Sequence, residues 1–117
     1  MRRDAQTFLW DVCDSAEAIT QFTAGRTLAD YLVDRQMRSA VERQFEIIGE
    51  ALNRLSKEAP LVAARIPALP QIVAFRNLLI HGYATVDDRV VWRTIQEDLP
   101  KLYDTAVVLL AELSKPP

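Results

Sequence analysis

Cysteine and histidine each occur once in this chain, and glycine only three times in 117 residues. A single thiol, Cys13, excludes an internal disulfide framework and any metal site built on several cysteines, and it suits a reducing compartment. Its expected role is that of a small buried apolar residue. Three glycines and six prolines are too few for the many turns of an all-β fold. No hydrophobic run approaches the length of a membrane span. The opening Met1-Arg2-Arg3 is followed at once by Asp4, Gln6 and Asp11, so no apolar leader core forms, and a cytoplasmic protein is expected. Positive charge is not in excess either. Fourteen Lys and Arg against sixteen Asp and Glu give a net charge of −2, which argues against a wholly basic surface for polyphosphates. Any nucleic-acid contact has to be local. Arg65, Arg76, Arg89 and Arg93 could form such a patch, diluted by Asp87 and Asp88.

Half of the residues are apolar, enough for one core in one domain spanning 1–117. Ala, Leu, Arg, Glu and Gln are abundant and favour helix, so the expected fold is all-α. Ala5, Phe8, Val12, Ala16, Ile19 and Phe22 recur at helical spacing and predict a first helix from Asp4, its N-cap, to about Thr23, with Gly25 as the left-handed residue beyond its end. Thr27 to Asp30 reads as a capping-box variant that opens a second helix. That helix either runs unbroken to Ala59 or breaks near Val33-Asp34, with Asp34 capping a longer piece; the break is preferred. The longer piece puts Met37, Val41, Phe45, Ile48, Leu52 and Leu55 on one stripe, with Arg35, Arg38, Arg43 and Lys57 off it. Gly49 inside it costs about 1 kcal/mol relative to alanine, which a close helix crossing would explain.

Glu42, Glu46 and Glu50 stack on one side of that helix. A di-metal carboxylate bundle would need a Glu-x-x-His pair, and the only histidine is elsewhere, so a solvated or ion-paired face is the better reading. Glu46 or Glu50 could still orient a neighbour. Pro60, Pro67 and Pro70 predict a connector from about Pro60 to Ala68 and a third helix with Pro70 in its first turn, carrying Ile72, Val73, Leu79 and Ile80 and ended by Gly82. Thr85 to Asp88 reads as a further capping box. The last helix holds Trp92, Ile95, Leu99, Leu102, Ala106, Leu109 and Leu113 in alternating steps of three and four, with a kink or break expected at Pro100.

The chemistry concentrates in Arg76-Asn77-Leu78-Leu79-Ile80-His81-Gly82-Tyr83. A histidine near a helix C-terminus, at the negative end of the macrodipole, can serve as a general acid or base. An arginine is a fixed forked donor for phosphate and for the charge of a phosphorane, and the ribose 2′-hydroxyl supplies an internal nucleophile. Residues five apart on an α-helix point about 140° away from each other. Arg76 and His81 can cooperate only if His81 lies on an unwinding last turn or the site is composed from two subunits. Each residue also has a plainer role: His81 as a helix cap, Arg76 in an ion pair with Glu46 or Glu50, Tyr83 in packing, and Asn77 bonding a neighbouring backbone.

Arg76-Asn77-x-x-x-His81 followed by Gly82-Tyr83 resembles the R-x4-6-H signature of the HEPN superfamily, in the R-x4-H-x-Y form of HepT-like toxins. The Glu46 to Leu52 run and the Trp92 to Leu102 segment resemble the same group. The resemblance implies a four- to five-helix up-and-down bundle forming a two-fold homodimer. It implies a metal-independent ribonuclease without cofactor, acting on RNA such as tRNA or mRNA as the toxin of a type VII toxin-antitoxin system. Arg76 and His81 would be the catalytic pair, Asn77 a supporting residue, and Tyr83 the acceptor of AMP from an MntA-like nucleotidyltransferase antitoxin, with which the dimer could assemble further. The alternative is a non-catalytic helical partner of such a nucleotidyltransferase, or a purely structural dimerisation bundle.

Overall fold

The computed structural model describes residues 4–81 and 86–114, and every regular element among them is helical. The first helix, α1, spans Ala5–Thr23. The Asp4 carboxylate accepts from the Thr7 N–H at 2.9 Å and satisfies one of its orphan donors. Beyond its end Gly25 takes φ 72, where a residue without Cβ carries no steric penalty. Thr27 and Asp30 complete a reciprocal capping box that opens α2, Leu28–Val33. The chain breaks at Asp34, whose carboxylate accepts from the Met37 N–H at 3.0 Å to start α3, Arg35–Glu58. The preferred break is therefore present, and the side chain that makes it is the one expected.

The central element is α3. All six residues of its apolar stripe are buried, against α1 on one side and α5, Leu69–His81, on the other. Phe45 meets Phe75 of α5 edge-on at 5.1 Å. Arg38, expected off the core, turns back instead to donate to the Leu32 carbonyl at 2.7 Å, and so ties α2 to α3. The connector after α3 is not wholly irregular. Pro60 starts the short α4, Pro60–Ala63, because its missing N–H is unneeded in a first turn.

The last helical stretch departs from expectation in two places. Asp87 accepts from the Arg89 N–H at 2.9 Å and caps α6, Asp88–Arg93. The capping box expected from Thr85 and the stop expected at Gly82 lie outside the described residues. The irregularity attributed to Pro100 falls ahead of it, as a π-helical turn over Thr94–Asp98 that leads into α7, Leu99–Leu113. A proline ring clashes with the carbonyl four residues back, and a widened turn relieves that clash. Ile95, Leu99, Leu102, Ala106 and Leu109 remain buried across it, whereas Leu113 is exposed. Among the described residues four long helices joined by short ones thus form the all-α bundle, and Cys13 is buried in its core.

Candidate functional site

Gly49 determines how closely α5 approaches α3. A Cβ built there would fall well inside contact distance of Arg76 Cβ and Cγ and 3.3 Å from Cδ, so the arginine stem occupies the space that any larger residue would fill. The crossing expected from the sequence is present, and Arg76 is the residue laid over it. Its guanidinium is held at two points. Nη2 donates to Glu50 Oε2 at 2.6 Å and Nη1 to Asn77 Oδ1 at 2.8 Å. Nε is buried and has no hydrogen-bond partner among the described residues. A guanidinium carries five N–H donors. With these two bonds the guanidinium does not use all of its donors on the described residues, and a guanidinium is suited to phosphate oxygens.

Arg76 opens into a cleft of about 330 Å³ between α1, α3 and α5, which Arg43, Arg54, Glu46, Glu50 and Asp11 also line. Three arginines and three carboxylates give the cleft mixed charge rather than the field of a basic trough. Arg43 pairs with Glu46 at 3.3 Å at the surface, a contact worth little by itself, and Arg54 stands 6.0 Å from the Phe8 ring. The glutamate stripe therefore resolves into separate roles. Glu50 grips Arg76, Glu46 answers Arg43, and Glu42 sits part-buried near Asp88 and Arg38. Burial first, then repulsion from Asp88, raises the Glu42 carboxyl above its ordinary value.

His81 does not join this arrangement within one chain. It is the last residue of α5, exposed, and absent from the walls of the Arg76 cleft. The helix holds its pitch through His81, so the two side chains diverge by about 140°. Tyr83 lies outside the described residues. Of the arginines expected to flank the site, Arg65 is committed elsewhere, in a bidentate pair with Glu112 of α7 at 2.6 and 3.2 Å. The sequence suggested Glu46 or Glu50 as an orienting residue but not Arg43 or Arg54 as cleft residues. Their signal was the spacing Arg43, Ile47, Glu50, Arg54, a second helical face of α3.

The face of α5 turned away from α3 carries exposed Ala74, Asn77, Leu78 and His81, and Leu78 is 45% exposed. A helix that is apolar nearly all round is ordinarily covered on every side.

Comparison with known proteins gives a consistent result. The family described as Ribonuclease HepT-like matches residues 12–109. A protein of Thermococcus cleftensis named "Probable ribonuclease HepT" is 36% identical over 102 residues, 87% of this chain and 92% of that one. A Methanocaldococcus jannaschii protein whose name assigns it as an RNase is 33% identical over 86% of this chain and 92% of its own. A third, from Caldanaerobacter subterraneus and also named as an RNase, is 32% identical over 81% and 84%. No solved structure matches the chain significantly.

Proposed function

Because this chain belongs to the HepT-like ribonuclease family, we propose that it is an endoribonuclease, with Arg76 and His81 as catalytic pair, Asn77 as supporting residue and residues 1–117 as one domain. The observation that carries the reading is the Arg76 guanidinium, fixed by Glu50 and Asn77 in the wall of a cleft. His81 takes the proton of a ribose 2′-hydroxyl, and the 2′-oxygen attacks the adjacent phosphorus. Arg76 stabilises the added charge on the phosphorane. The 5′-oxygen then leaves with a proton from a second imidazole, giving a 2′,3′-cyclic phosphate and a 5′-hydroxyl end. No metal takes part in these steps.

Divergence of Arg76 and His81 along α5 supports a site composed from two chains, as does the uncovered face that carries His81. A two-fold dimer packed through α5 would bring the arginine of each chain and the histidines of both to one cleft. The same reading makes the protein the toxin of a type VII toxin-antitoxin pair acting on tRNA or mRNA. Its partner would be an MntA-like nucleotidyltransferase that silences it by transferring AMP to Tyr83, two residues from His81. The added phosphates would place bulk and negative charge where an RNA phosphate must bind. Mass increments of AMP on the co-expressed wild type, absent from Tyr83→Phe, are expected; an unmodified chain beside an active transferase would refute that part.

A second reading, a catalytically silent helical partner of the transferase, is favoured by the engagement of Arg76 with two polar neighbours in the free chain. Cleavage of total RNA and of a tRNA pool in EDTA separates the two. Wild type is expected to cut and leave cyclic phosphate ends, and His81→Ala, folded, to leave RNA intact. Absence of cleavage by wild type free of AMP would support the silent partner.

A further inference from the structure

A groove runs between α1 and α7, on a part of the surface that shares no lining residue with the Arg76 cleft. It has three sections of about 410, 340 and 380 Å³. Trp10, Leu110 and Ser114 line both the first and second, and Glu17 and Tyr103 both the second and third, so the sections are continuous. Gln6 Nε2 donates to Ser114 Oγ at 3.1 Å across one end. Between Asp4 and Gln21 the groove follows α1 for about 25 Å, the length of a helix of about 17 residues.

Its floor is apolar and open. Trp10 is 57% exposed and Val107 41%, and both line the same section as Leu110. An exposed tryptophan in an apolar groove is the residue type that most often anchors a partner. Among the described residues the rim has one sign of charge. Asp4, Asp14, Glu17 and Asp104 line the groove, and no lysine or arginine does so among the described residues. The field reaches inward, because Glu17 adds to burial in raising the Cys13 thiol, and adds to burial in raising the Tyr103 phenol.

We infer that the α1/α7 groove is the docking site for a basic amphipathic helix of another protein, with Trp10, Val107 and Leu110 receiving its apolar face and Asp14, Glu17 and Asp104 its cations. An acidic rim repels RNA, which separates this surface from any substrate path. Two copies of this chain joined groove to groove would set carboxylates against carboxylates, which disfavours a second copy as occupant. A helix lying in an apolar groove with complementary flanking charge meets both requirements. This inference is independent of the ribonuclease reading.

The probe is a fluorescently labelled 18-residue helical peptide with leucines at three-four spacing and lysines elsewhere, beside a control in which glutamates replace the lysines. Binding is read by anisotropy against the full chain, with circular dichroism to show that each variant is folded. The basic peptide is expected to bind wild type and the acidic one not to. Trp10→Ala should weaken binding at least tenfold, and Glu17→Lys with Asp104→Lys should abolish it and admit the acidic peptide. Equal binding of both peptides, binding of neither, or full affinity in the folded charge-reversed variant would overturn the inference. So would dissociation of a homodimer by Trp10→Ala or by the charge reversal, which would make the groove a contact between copies.

Discussion

Replacing Gly49 by alanine tests the geometry of the site at its tightest point. In a solvent-exposed helix this change gains about 1 kcal/mol, since glycine is the poorer helix former. Here the new Cβ meets the Arg76 stem, attached to a backbone that packs against α3 on its other residues. The flexible end of the side chain cannot absorb the clash, because the contacts are with Cβ and Cγ. Either α5 moves outward or Arg76 changes rotamer, and overpacking of this kind costs about 1–3 kcal/mol. The net expected from urea unfolding is a destabilisation of about 0–2 kcal/mol. Both escapes carry the guanidinium away from Glu50, and a displacement of about 1 Å at a reacting centre costs about 10²-fold in rate. Gly49→Ala should thus lose far more cleavage activity than its small change in stability explains. A variant stabilised by about 1 kcal/mol with wild-type activity would show that the crossing is looser than described and that Arg76 does not depend on it.

The Tyr31 hydroxyl is buried without a hydrogen-bond partner among the described residues, its ring 5.4 Å from that of Trp92, so Tyr31→Phe should leave the melting temperature unchanged or raise it. A loss above about 1 kcal/mol would mean that the hydroxyl has a partner, such as a bound water. Glu42 has a raised folded-state pKa, so it favours the folded state below its ordinary value of 4.5 and that contribution is lost as pH rises through the raised value. Glu42→Gln should accordingly be more stable than wild type at neutral pH, with the advantage shrinking toward pH 4.5 in denaturant titrations; an advantage that grows in acid would refute the assignment. Phe45 is fully buried against Phe75, and Phe45→Ala is expected to cost about 3–5 kcal/mol by urea unfolding, whereas less than about 1.5 would mean that the α3/α5 contact collapses around the loss.

Local signals were legible in the sequence wherever one side chain decides a backbone event. Asp4, the Thr27/Asp30 pair and Asp34 each end or start a helix through a carboxylate or hydroxyl within three residues of the N–H it accepts from, and each does so in the structure. The π-turn over Thr94–Asp98 was not legible in the same way, because Pro100 requires relief somewhere nearby while packing on both sides fixes where it falls. Arg38 could be placed off the apolar stripe, but its return to the α2 carbonyls depends on the direction of the preceding helix. For the site, the cost of Gly49 pointed to a crossing and the charge of Glu46 or Glu50 to a partner, and the structure selects Glu50. Arg43 and Arg54 could not be assigned to the cleft, since its walls come from three helices whose angles no short-range pattern encodes.

The central claim is that Arg76 and His81 act together across two chains, and mixed dimers test it most directly. Wild type at fixed total protein is exchanged with increasing fractions of the double variant Arg76→Ala/His81→Ala, and the rate of RNA cleavage in EDTA is followed. A composite site predicts that activity falls as the square of the wild-type fraction, because only dimers with two intact chains carry the full set of groups. A fall linear in that fraction, under proven exchange of subunits, would place the whole site in one chain and contradict the account.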